Sequence, residues 1–165
     1  MCEDEYEGFS EVRDEITLKR SPKEFGMKKI IYFDMDGTVA DFYHVTDWLT
    51  RIRHDDASVY EEARPFDEYI NMARYYKSIG YKVVIITCLP WYCSHDFGIS
   101  VARAKGRWVY KYMPFIDSML VVPHTHHKEA YAIDEGVLVD DDSRTLENWP
   151  WTKIKAINKG GRLWK

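Results

Sequence analysis

Residues Ile30–Phe42 read IIYFDMDGTVADF. Apolar and aromatic residues lead straight into Asp34 and Asp36, one residue apart, and then into Gly37 and Thr38. A continuous apolar run of this kind predicts a strand buried on both faces, as in a parallel sheet covered by helices. Ending such a strand on paired carboxylates sacrifices hydration and opposes like charges. At ~5 Å and an effective dielectric of ~20 the repulsion is about 3 kcal/mol. The arrangement asks for a counter-charge.

Working outward, the chain alternates strand-like and helix-like segments. PFDEYINMARYYKSIG places Phe66, Tyr69, Ile70, Ala73 and Tyr76 at helical spacing, with Pro65 suited to the first turn and Gly80 to the C-terminal cap. YKVVIITC (81–88) is a second buried strand, and Val101, Ala104, Trp108 and Tyr112 mark a helix that Pro114 stops. DSMLVV (117–122), GVLVD (136–140) and TKIKAIN (152–158) predict three more strands, with helical turns near 127–133 and 143–148. The pattern predicts an α/β fold, a Rossmann-like three-layer sandwich around a central parallel five-stranded sheet. Ligands of such sheets lie beyond the carboxyl ends of the strands, where strand order reverses. Asp34, Thr87 and Asp140 each end a strand and face that crevice. Residues 41–65 are too few for a core of their own and predict a small lid of two short helices.

Composition places further bounds. Of 165 residues, 45% are hydrophobic and 30% charged, as in ordinary soluble proteins. No apolar run approaches the ~20 residues that span a bilayer, and the acidic N-terminus is unlike a signal peptide, so a cytoplasmic location and no membrane partner are expected. Three cysteines, an odd count, argue against a disulfide framework. The net charge of −4 is uneven: residues 1–15 hold seven acids and one base. The other 150 residues carry 22 bases and 20 acids, too balanced to expect stable nucleic-acid binding. Residues 1–26 therefore form an acidic extension, disordered or weakly helical through Phe9, Val12 and Ile16, and 27–165 the main domain.

Asp34, Asp36, Asp140, Asp141 and Asp142 converge in this reading. Oxygen-only ligands with room for water and phosphate suit Mg2+ better than zinc. The cation in turn implies an anionic substrate, a small phosphorylated molecule. Asp34 is placed to attack phosphorus and Asp36 to protonate the leaving oxygen and then deprotonate water. Gly37 permits a sharp turn whose N–H groups, with Thr38, approach phosphate oxygens. Thr87, and Cys88 after it, face the phosphate, and Lys128 supplies positive charge against it.

These segments together resemble the haloacid dehalogenase (HAD) superfamily of phosphohydrolases over about residues 27–158. DMDGT corresponds to its first motif, the Thr87 strand end to its second, Lys128 to its third and VLVDDD to its fourth. Within it, DMDGTVADF, the later LVDDD…W and the AKGRW helix are most similar to 5′-deoxyribonucleotidases and related phage-encoded nucleotidases. The resemblance implies a HAD-like catalytic domain with a small cap at about 41–65. It implies Asp34 as nucleophile and Asp36 as acid/base. Mg2+ would then be held by a side-chain oxygen of Asp34, the backbone carbonyl of Asp36, and Asp141 in preference to Asp140. The substrate implied is a nucleoside monophosphate. The lid is shorter than in those enzymes, and a small lid suggests a homodimer in which a neighbouring subunit helps close the site.

Other features have blander readings. Asp142 suits a helix N-cap, and Asp41 either caps the lid or touches substrate. The histidines of HTHHK lack a partner at a zinc-binding spacing and read as solvated loop residues. Phe42, Tyr43 and Trp48 pack the lid or stack on a base; Trp91 and Tyr92 are further stacking candidates. Cys88 and Cys93 read as ordinary thiols, and Trp149 and Trp151 as packing for the last strand. Two other functions compete. A phosphatase of nucleic-acid ends would use the same chemistry in an open crevice. A receiver-like phosphoacceptor domain also gathers aspartates, Thr and Lys, but there the acidic pair comes first, whereas here it follows Lys128.

Overall fold

Alternating side chains of the central strands bury themselves in two separate cores, and this divides the protein into layers. A computed structural model describes residues 29–157; the acidic extension, with Cys2 and its helical stripe, and the end of the 152–158 segment lie outside the described residues. The strands are β1 (Ile30–Phe33), β2 (Ala40–Asp41), β3 (Arg64–Pro65), β4 (Lys82–Cys88), β5 (Ser118–Val122), β6 (Val137–Asp140) and β7 (Lys153–Lys155). The α-helices are α1 (Trp48–Arg53), α2 (Val59–Glu62), α3 (Asp67–Ser78), α4 (His95–Tyr112) and α5 (Ser143–Asn148), with 3-10 turns at Phe42–His44 and Lys128–Tyr131.

Five strands form one parallel sheet in the order β5-β4-β1-β6-β7, and β2 and β3 pair antiparallel in a separate ribbon. Ile31, Phe33, Val83, Ile85 and Val139 face a core closed by α3 and α4. Ile30, Tyr32, Val84, Ile86 and Leu138 face the other way, onto Leu146 of α5 and Trp149. The product is the expected α/β three-layer sandwich of Rossmann-like form. Strand order reverses at β1, which has β4 on one side and β6 on the other, so the crevice opens between the tips of β1 and β6.

Local chemistry explains the boundaries. At the end of α3, Gly80 adopts φ +92, Tyr81 N donates to Tyr76 O and Gly80 N to Lys77 O, while the Tyr76 and Tyr81 rings meet edge to face at 5.0 Å. This is the Schellman arrangement with its accompanying apolar contact. Pro65 corrects the expectation for the other end: it lies in β3, opposite Ala40, and α3 begins two residues later. Proline is tolerated there because a two-stranded ribbon is all edge, so its missing N–H breaks no ladder. Helix α4 starts at His95, earlier than its apolar stripe suggests, because Ser94 caps it by accepting from Phe97 N. Trp149, expected to pack the last strand, instead packs edge to face on Tyr32 of β1 and donates to Gly136 O just before β6.

The β2/β3 ribbon closes the base of the segment expected to form the lid. Within the lid, Arg51 binds Asp56, Ser58 and Glu62, joining α1 to α2. Trp108 Nε1 donates to Ala63 O, and Arg107 pairs with Glu61, so α4 anchors the lid base. Among the described residues, no helix is long and apolar enough to cross a membrane.

Candidate active site

Asp34 stands one residue beyond β1, its N–H donating to Val139 O of β6 at 2.9 Å, and Asp140 closes β6 itself. Adjacent strands thus deliver the two carboxylates side by side. One oxygen from each of Asp34, Asp140 and Asp141 lies within 4.8 Å of the others, and all three residues are buried. Lys128, on the 3-10 turn before β6, is buried too; its Nζ donates to Asp34 Oδ1 at 2.6 Å and to Asp140 Oδ2 at 2.8 Å. Burial works against its charge, but Asp140 and Asp34 outweigh that and hold its pKa well above the usual lysine value. Asp140 is pushed up from the ordinary carboxylate range, because burial and Asp34 outweigh the lowering by Lys128.

Three buried carboxylates facing one ammonium leave uncompensated negative charge. Their donors are all hard oxygens, which suits a divalent cation of the Mg2+ kind. Asp140 is engaged through both oxygens, Oδ2 by Lys128 and Oδ1 by Asp142 N at 2.7 Å. Asp34 is engaged likewise, Oδ1 by Lys128 and Oδ2 by Thr38 Oγ1.

The turn after β1 holds this cluster in register. Asp141 N donates to Thr38 Oγ1 at 3.1 Å, and Thr38 Oγ1 lies 3.4 Å from Asp34 Oδ2. Gly37 sits at φ +87, and a Cβ built there would come within 2.5 Å of Tyr43 Cε2 and 2.8 Å of Asp141 Oδ2. Gly37→Ala is therefore expected to cost about 2–3 kcal/mol, combining a strained backbone with overpacking. It should also weaken divalent-cation binding by displacing Asp141. Urea unfolding and a Mg2+ titration of the variant check both effects.

Asp36 is the second carboxylate of the opening stretch and points elsewhere. Its Oδ2 receives Lys105 Nζ at 2.5 Å, while Oδ1 is buried without a hydrogen-bond partner. Burial raises its pKa, offset in part by Lys105 and reinforced by Asp34. Lys105, on α4, is the residue that sequence reasoning missed. It is fully buried, donates also to Thr87 Oγ1 at 2.7 Å and Cys88 O at 2.8 Å, and lies 4.7 Å from the centre of the Tyr60 ring. A signal was there: position 105 falls four residues after Val101, on the buried side of α4.

A crevice of about 970 Å³ opens above these groups, lined by Asp34, Asp36, Lys128, Asp140 and Asp141. Cys88, Phe42, Tyr43 and Trp48 line it as well. Thr38 and Thr87 are fully buried behind its wall, the Thr87 hydroxyl accepting from Lys105. The lid rings are engaged with one another: Phe42 stacks on Tyr60 at 4.7 Å, and Trp48 meets Phe42 and Tyr43 at 5.1 and 5.4 Å. Asp142 is an N-cap, accepting from Arg144 N. Asp41 lies outside the crevice, beside His44.

The HTHHK reading needs correction. His124 and His127 are exposed as expected, though His124 also lines the crevice; His126 is the exception, half-buried at the crevice wall with Nδ1 3.1 Å from Asp142 Oδ2. The segment turns inward because it must bring Lys128 to the carboxylates.

No protein-family model matches the chain. No curated protein matches it either. Solved structures do. A chain in the Pnkp1/Rnl/Hen1 RNA repair complex is similar at TM-score 0.61 and 15% identity, covering 85% of this chain and 46% of that one. A chain in a second structure of the Pnkp1/Rnl/Hen1 complex gives 0.62 and 15%, covering 84% and 49%. A hydrolase from Streptococcus pneumoniae TIGR4 gives 0.47 and 10%, covering 81% and 96%. This chain spans about half the length of the first two. The likeness is one of fold.

Proposed function

We propose that the chain is a Mg2+-dependent phosphomonoesterase of the HAD type, acting on nucleoside monophosphates through an aspartyl-phosphate on Asp34. The observation that carries the reading is Lys128 bridging Asp34 and Asp140 within a buried carboxylate cluster at the strand-order reversal. Bound Mg2+, held by Asp34, Asp141 and the backbone carbonyl of Asp36, would supply positive charge to the phosphoryl oxygens.

The chain's own residues divide the remaining work. An oxygen of Asp34 attacks phosphorus as the bond to the leaving oxygen breaks, and Asp36 gives that oxygen a proton. In the second half, Asp36 takes a proton from water as the water oxygen attacks phosphorus. The bond to Asp34 breaks and inorganic phosphate leaves. The buried, unpartnered Oδ1 of Asp36 suits a group that carries a proton on one oxygen while Lys105 holds the other. Lys128 keeps Asp34 aimed and offsets the charge that develops on the transferring group.

Phosphate release from a panel of nucleoside monophosphates tests the reading. Turnover is expected with Mg2+ and is lost with a chelator; equal rates in both conditions would sink the metal's role. The second reading, a phosphatase of nucleic-acid ends, is raised by the similar chains' membership in an RNA repair complex. End-phosphorylated oligonucleotides in the same panel separate the two, and a long-lived phosphoprotein without turnover would favour a receiver-like domain instead.

A further inference from the structure

Ring faces able to receive a base are scarce on the lid side of the crevice. Phe42 is buried against Tyr60, and Tyr43 and Trp48 are packed on each other and on Phe42. In the loop after β4, Trp91 is 59% and Tyr92 93% exposed, and both line the crevice. Their rings meet edge to face at 5.3 Å, and His124 abuts Trp91 at 4.6 Å. Tyr92 adopts φ +56, a left-handed backbone that a bulky side chain enters at a cost of about 1 kcal/mol or more. Two adjacent aromatics held out of the core, one at a strained residue, call for an occupant.

Charge decides which. The crevice presents six aspartates (34, 36, 55, 140, 141, 142) against three permanent cations, Arg53, Lys128 and Arg144. With Lys105 on Asp36 and the divalent cation that the phosphomonoesterase reading requires, this lining comes near neutral, without the positively charged track that a chain of phosphates needs. It tolerates one phosphate brought to Lys128 and a cation, with an uncharged aromatic body beyond.

Resting on the phosphomonoesterase reading, we infer that Trp91, buttressed by His124 and Tyr92, is the stacking platform for the leaving group's base. The substrate is therefore a mononucleotide held by the core-side loop rather than by the lid. A base stacked on an aromatic contributes enough to change affinity by about tenfold or more.

The test titrates the full chain, in an Asp36→Asn background that lacks the proton donor for the leaving oxygen but keeps the carboxylates around the metal, with Mg2+ and three ligands. These are a nucleoside monophosphate, ribose 5-phosphate and an end-phosphorylated tetranucleotide. The expected result is that the nucleotide binds about tenfold more tightly than the sugar phosphate. Trp91→Ala removes that advantage, Trp91→Phe keeps most of it, and ribose 5-phosphate is unaffected by either. Equal binding of nucleotide and sugar phosphate, no binding of either, or an equal loss for both in Trp91→Ala overturns the platform. Tighter binding of the tetranucleotide overturns the mononucleotide assignment. Should the base preference appear while the unsubstituted chain releases no phosphate from any ligand, the platform stands and the phosphatase reading falls.

Discussion

Asp34→Asn is expected to lower phosphate release by about 10⁴-fold or more while leaving the protein folded, because it removes the attacking oxygen and little else. The stability half of this expectation runs against the usual rule that breaking a buried ion pair is strongly destabilising. Asp34 lies 2.6 Å from Lys128, an attraction of ~6 kcal/mol at an effective dielectric of ~20. It also lies within 4.8 Å of both Asp140 and Asp141, each a repulsion of ~3.5 kcal/mol or more on the same scale. The two repulsions offset the attraction, and an asparagine oxygen still accepts from Lys128. Without divalent cation the variant should therefore unfold within about 1 kcal/mol of the parent. With saturating Mg2+ the parent should gain thermal stability by mass action and the variant much less. Phosphate release and paired melting curves read the two halves independently. More than about 1% residual turnover would remove Asp34 from the nucleophile's role, whatever the melting curves show.

The parts of the fold legible in the sequence are those where a single interaction dominates. β1, β4 and β6 are apolar runs because both faces of a central parallel strand are buried, and they end at Phe33, Cys88 and Asp140, within one residue of the expected Asp34, Thr87 and Asp140. Gly80 was readable as a cap because little else tolerates its backbone. Pro65 was not, since proline suits both a helix start and an edge strand, and only the pairing with Ala40 decides between them. The candidate site divides the same way. Asp34, Asp36, Lys128, Asp140 and Asp141 follow from motif order and meet in one crevice. His126 and Lys105 escaped because polar residues in a loop and a lysine on a helix ordinarily face water. Their partners come from distant elements: Asp142 after β6 for His126, and Asp36 after β1 for Lys105.

Lys105 therefore carries the second large effect, on stability as well as turnover. Its ammonium is wholly buried and satisfied by three acceptors: the Asp36 carboxylate, the Thr87 hydroxyl and the Cys88 carbonyl. Lys105→Met keeps most of the side-chain volume but leaves Asp36, a largely buried carboxylate, without its cation. Loss of one partner of such a pair costs about 3–5 kcal/mol. Neutralising the stranded partner as well, in Lys105→Met with Asp36→Asn, should recover more than half of that cost. The recovery would identify the charge, not the packing, as what Lys105 satisfies. Turnover should fall in the single variant because Asp36, no longer tied through Oδ2, loses its aim toward the leaving oxygen; the effect belongs in kcat more than in KM. Lys105 is in this sense a positioning residue, linking the tip of β4 to the turn after β1. Urea unfolding of the two single variants and the double, with kcat and KM for Lys105→Met, measures the coupling. If the double variant is as unstable as the sum of the singles, the pair is not coupled, and Lys105 contributes through its contact with Tyr60 and the core of α4 instead.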